Sequence, residues 1–143
     1  MNAIEGYCFE DLALGMSASF TKTLSEADVK WFAGVTGDFN PLHVNREYAE
    51  QSIFKQPVAH GMLAAGLISA ALGCKLPGPG AIYMHQELNF VAPVHFGDTV
   101  TATVAVKELI AKHGHVIMTT VCTAGGKEVV IGEARLKVPR REA

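Results

Sequence analysis

From Met62 to Leu72 the chain is apolar around every helical face, with Ser69 the one polar residue, and this pattern predicts a helix buried on all sides. The run is too short to cross a bilayer. Gly73 is placed to end it, and the Pro- and Gly-rich stretch from Lys75 to Gly80 predicts a loop. Beyond Gly80 the pattern changes to runs rich in Val, Ile, Thr and aromatics, predicting strands over Ala81 to Val91, Thr99 to Leu109, His115 to Ala124 and Glu128 to Val138. Pro93 with Gly97-Asp98, then His113-Gly114, then Gly125-Gly126 separate these runs, and such short connections favour antiparallel neighbours. An earlier strand near Ala18 to Thr23 completes the set.

Ahead of the apolar run, Ser25 and Asp28 form a capping-box pattern, with Leu24 and Val29 placed as a hydrophobic staple. A helix is expected from about Glu26, burying Val29, Phe32 and Ala33, and stopping near Val35 because Gly34, Gly37 and Pro41 follow. Asn45 is expected to cap a second short helix through Tyr48 and Ala49. Two short helices thus bracket a polar loop. An apolar helix needs a surrounding apolar surface, and strands of this kind need one covered face. The expected fold is α+β, one domain over residues 1–143, with an antiparallel sheet wrapped around a central apolar helix in the hot-dog arrangement.

A chain of 143 residues supports one core. With nearly half its residues apolar and a net charge of -2, it has neither the basic stripe of a nucleic-acid binder nor the composition of a disordered segment. Lys137, Arg140 and Arg141 read as a short solvated tail. Cys8, Cys74 and Cys122 are odd in number and widely spaced, which fits neither a disulfide framework nor a zinc knuckle and points to a reducing compartment. The N-terminus starts Met-Asn-Ala-Ile-Glu-Gly, without a basic region leading into an apolar one, so a cytoplasmic protein without a secretory signal or a membrane partner is expected.

The polar loop runs Gly37-Asp38-Phe39-Asn40-Pro41-Leu42-His43. It holds a carboxylate, a carboxamide and an imidazole in a proline-stiffened bend, the groups that general acid-base chemistry on one water requires. Asp and Asn before Pro also make an ordinary turn, so the short motif alone leaves both readings open. The longer segment Phe32-Ala-Gly-Val-Thr-Gly-Asp-Phe-Asn-Pro-Leu-His43, with Ala49 beyond it, resembles the signature of the MaoC-like, (R)-specific enoyl-CoA hydratase family. Ala59-His-Gly-Met-Leu63 and the strand-rich second half extend the resemblance over nearly the whole chain.

The resemblance implies a hot-dog homodimer that hydrates trans-2-enoyl-CoA to (R)-3-hydroxyacyl-CoA, reversibly. It implies Asp38 and His43 as the catalytic pair, Asn40 lining the site, the Gly61 N–H in an oxyanion hole, and Ser69 bonding beneath the loop. Residue chemistry points the same way: hydration of an enoyl thioester needs a base for water, a proton for C2 and enolate stabilisation, and a glycine at a helix start brings an unshielded N–H and the positive helix end to the thioester oxygen. Hydration is redox-neutral and the thioester already activates C3, so no cofactor is expected; His113 and His115 have no acidic or sulfur partner beside them and His85 and His95 no ligand pattern, so no metal is expected.

His60 is read as a structural residue that orients the loop, His113 and His115 as exposed turn residues, and His85 and His95 as without chemistry. Three alternatives stand beside the hydratase. A 3-hydroxyacyl-carrier-protein dehydratase shares the chemistry; a hot-dog thioesterase often carries a carboxylate on or beside the central helix, and Gly61 to Gly73 has none; a non-catalytic acyl-CoA binding module would not need Asp38, Asn40 and His43 together.

Overall fold

The computed structural model describes residues 5–142. Met1–Ile4, over which no secretory segment is expected, lie outside them. The elements in order are a 3-10 turn Phe9–Asp11, β1 Ser17–Thr23, α1 Glu26–Thr36, α2 Pro41–Val44, α3 Arg46–Glu50, α4 Gly61–Cys74, β2 Ile82–Phe90, β3 Thr99–Ile110, β4 His115–Ala124 and β5 Lys127–Lys137. The strands form one antiparallel sheet in the order β1-β3-β4-β5-β2. It curls around α4, as the hot-dog expectation requires, and no described helix is long and apolar enough to cross a membrane.

The local signals behave as their chemistry demands. Ser25 Oγ accepts from Asp28 N while Asp28 Oδ2 accepts from Ser25 N, closing the capping box at α1. Lys22 and the Ser25 N–H hold the Asp28 carboxyl below its usual range, the backbone hydrogen bond being the larger cause. Asn45 Oδ1 accepts from Tyr48 N and caps α3. In the core, Ile68 and Leu72 of α4 meet Val100, Ala102 and Val104 of β3, with Val116 and Met118 of β4, all fully buried. Alternate β3 and β4 residues point into this core and their neighbours point out, the period-2 arrangement of a half-covered sheet.

Three expectations are corrected. The α4 helix is not buried all round: Met62, Gly66, Ser69 and Gly73 lie on an exposed face, because a single five-stranded sheet covers only one side of its cylinder. β2 does not pair with β3, its neighbour in the chain, but with β5, and so forms the sheet edge opposite β1. The link between β2 and β3 is carried past the start of α4, where Val94 O accepts from Ala59 N and His95 forms a bridge with Val58. Finally, His115 is a half-buried residue opening β4, with an Nδ1 that has no partner among the described residues; burial and the nearby Arg135 lower its pKa. His113 is exposed as expected, and all three cysteines are free.

Candidate active site

The polar loop begins where α1 ends. Gly37 closes the helix in the left-handed region, φ 83°, and its N–H bonds Ala33 O; a side chain there would be strained. Asp38 follows, its N–H donating to Thr36 Oγ1 and its Oδ1 accepting from Asn40 N at 3.2 Å. That Asx turn leaves Oδ2 free to face inward. The segment expected as a loop to His43 contains a helical turn, α2, because Asn40 Oδ1 accepts from Leu42 N and Pro41 occupies the first helical position.

His43 therefore rides on a capped helical turn. Its ring Nδ1 lies 2.7 Å from Val58 O, so Nδ1–H donates to that carbonyl and Nε2 keeps its lone pair. His60, 2% exposed, has Nε2 at 2.9 Å from Asp38 O, so its Nε2–H donates there. The same nitrogen is 4.0 Å from Asp38 Oδ2. The His43 and His60 rings stack, with centroids 3.9 Å apart and planes 29° from parallel. One atom from each of Asp38, His43 and His60 lies within 4.8 Å of the others. That residue set has the composition of a metal site, and each imidazole has one nitrogen engaged by a backbone carbonyl.

Gly61 is the first residue of α4, directly after His60, and no side chain caps this helix start. Among the described residues nothing accepts the Gly61 N–H, so it is one of the free donors at the positive helix end. Phe90, the last residue of β2, lies against it: a Cβ on Gly61 would sit 2.6 Å from Phe90 Cδ1. Asp38, His43, His60 and Gly61 all line one cavity of about 480 Å³ whose remaining wall is largely apolar, including Phe54, Phe90 and Val130. A small space with two polar corners and greasy walls suits an acyl chain with one reactive end.

Two expected site residues are placed differently. Asn40 does not line the cavity; it is exposed and supports the site by capping the turn that carries His43. Ser69 is exposed two turns along α4 from Gly61 and makes no hydrogen bond to Asp38 among the described residues. Sequence reasoning did not find Val58, whose carbonyl sets the His43 tautomer, or Phe90, which backs Gly61. Neither carries a local signal, since both act through the meeting of segments distant in the chain.

The family model described as the MaoC like domain matches residues 12–127. An (R)-specific enoyl-CoA hydratase of Rhodospirillum rubrum is 56% identical over 133 residues, 93% of this chain and 92% of that protein. A 3-hydroxybutyryl-CoA dehydratase of Methylorubrum extorquens is 46% identical over 134 residues, 94% of this chain and 85% of that one. Among solved structures, the unliganded R-hydratase PhaJ1 from Pseudomonas aeruginosa superposes with a TM-score of 0.90 at 40% identity, covering 95% of this chain and 88% of that chain. With the hot-dog sheet, the inward-facing loop and a match across most of its length, this chain belongs to the MaoC like domain family.

Proposed function

We propose that the protein is an (R)-specific enoyl-CoA hydratase, adding water across the C2–C3 double bond of a trans-2-enoyl-CoA, and that it runs the reverse dehydration as well. The observation that carries this reading is the convergence of Asp38, His43 and the free Gly61 N–H on one apolar cavity. Water held between Asp38 Oδ2 and His43 Nε2 attacks C3. Its proton passes to the pair, and the carboxylate stabilises the imidazolium so formed. The π electrons move to the thioester oxygen, where the Gly61 N–H and the helix end stabilise the enolate. The pair returns one proton to C2, so water is added once and the protein ends as it began. Because the same corner of the cavity supplies both hydroxyl and proton, the addition is syn.

The absence of any carboxylate from Gly61 to Cys74 speaks against a thioesterase. Turnover of crotonyl-CoA followed by chiral analysis of the 3-hydroxy product tests the assignment. The (R) product is expected; the (S) product, or release of free CoA without hydration, overturns it. Activity on the matched acyl-carrier-protein thioester decides between the CoA hydratase and the carrier-protein dehydratase. No cofactor takes part in this chemistry. The three free thiols, Cys122 among them with burial pushing its pKa up to about 11, fit a reducing, cytoplasmic setting.

A homodimer belongs to the same proposal. β2 is an edge strand with Ile82, Tyr83 and Met84 exposed at one end and Phe90 at the other, followed by exposed Val91, and the open face of α4 adds Met62. An unpaired apolar edge of this kind is a template for another strand, and two identical edges pair around a twofold axis. Sedimentation is expected to give twice the chain mass, and Met84→Lys, which puts a charge on the edge, is expected to shift the protein toward monomer. Wild-type protein that sediments only at the chain mass overturns the dimer.

A further inference from the structure

The mechanism above uses Asp38, His43 and Gly61 and leaves His60 without a part, although it is one of only two buried polar or charged residues among those described. Its ring stacks on His43, centroids 3.9 Å apart, and also meets the Phe32 ring at 4.6 Å, tilted 51°. Its Nε2–H holds the Asp38 carbonyl. Its peptide bond to the next residue contains the very N–H assigned to the enolate. Hence one residue touches all three working parts: by a hydrogen bond to Asp38, by stacking on His43, and by covalent linkage to Gly61.

We infer that His60 is a positioning residue for the hydration reaction, registering the acid-base pair against the α4 N-terminus so that water and thioester oxygen are held at a fixed separation. This rests on the hydratase reading for its chemical meaning, while the geometry stands apart from it. A purely structural core residue would be served as well by Phe or Leu. A ring that donates from one edge while its face supports a second imidazole is a more demanding choice, and it leaves Nδ1 buried without a partner among the described residues, a penalty an apolar residue would avoid. The ionisable groups that face His60 are Asp38 from the loop after α1 and His43 on α2; α1 contributes Phe32. Burial is the largest influence on its pKa and lowers it, the Asp38 carbonyl opposes this, and any charge on His43 reinforces it. A neutral His60 beside a His43 that takes up a proton avoids two stacked cations.

The two hydrogen bonds to carbonyls demand opposite tautomers in the stacked rings: Nε2–H at His60 and Nδ1–H at His43. Imidazole nitrogen NMR on the substrate-free protein is expected to show this pair, with His60 titrating below the ordinary histidine range. An Nδ1–H tautomer at His60, or an ordinary titration there, overturns the inference whatever the substrate proves to be. In turnover, His60→Phe keeps a flat ring and loses the donor; it is expected to lower kcat about 100-fold with KM changed by less than about threefold, the scale of effect that a 1 Å misplacement produces. His60→Gln restores a donor for Asp38 O and is expected to recover about tenfold of that loss. A His60→Phe protein with near wild-type kcat, or a His60→Gln protein no better than His60→Ala, overturns the inference, and the second comparison serves if His60→Phe does not fold. Wild-type protein inactive on every enoyl-CoA but with the expected tautomers would sink the hydratase reading and leave the registration of the pair intact.

Discussion

Asp38→Asn and His43→Gln are each expected to lower kcat for crotonyl-CoA hydration by about 10²–10⁴-fold, the range set by removing a positioned acid-base group, while the protein stays folded. The structure explains why folding survives. The Asp38 side chain is half exposed, and its Oδ1 contact to Asn40 N can be kept by an asparagine oxygen, so the Asx turn persists while the charge facing His43 is lost. His43 is half-buried on a turn whose cap is Asn40 and whose first residue is Pro41, neither of which depends on the imidazole. What His43→Gln removes is the Nε2 lone pair that Val58 O directs into the cavity. Turnover measured beside a thermal melt separates the two effects. Near-normal rates in both variants would show that the chemistry resides elsewhere.

Gly61→Ala is expected to lower kcat by about 10²-fold, comparable with deleting one oxyanion donor. The added Cβ would lie 2.6 Å from Phe90 Cδ1 and 3.3 Å from Phe90 Cγ, a collision with a ring and with no backbone group. Phe90 is half exposed, so the ring can swing away, but the start of α4 must move with it to some degree and carry the N–H off its line. Introducing Phe90→Ala into Gly61→Ala relieves the collision and is expected to recover part of the rate. Retention of kcat within about threefold in Gly61→Ala itself would remove the helix start from the mechanism.

Much of the fold was legible because its signals are local. The Ser25/Asp28 box, the Asn45 cap, the apolar run before Gly73 and the valine-rich strands each act through neighbours a few residues away, and α1, α3, α4 and all five strands appear where these signals put them. The α2 turn was missed because Asn40 and Pro41 read equally well as a turn and as a helix start, and four helical residues leave no periodicity. The pairing of β2 with β5 was missed because a short connection favours adjacent strands only when nothing else binds the linker, and here Val94 and His95 are bound to Ala59 and Val58.

The candidate site divides in the same way. Asp38, His43 and Gly61 stand in recognisable motifs, and the structure brings all three to one cavity. Ser69 shares a helix with Gly61 yet lies away from the cavity, and Asn40 supports His43 from outside it.

By itself the sequence determined the elements, their caps and the identity of the polar groups, since these depend on propensities and hydrogen bonds spanning a few residues. Only the tertiary structure decided the strand order, the open face of α4, the tautomer of His43 and the place of His60 between Asp38, His43 and Gly61. Each of those depends on contacts between segments distant in the chain, brought together by burial of a shared core, and burial is non-directional until packing gives it a geometry.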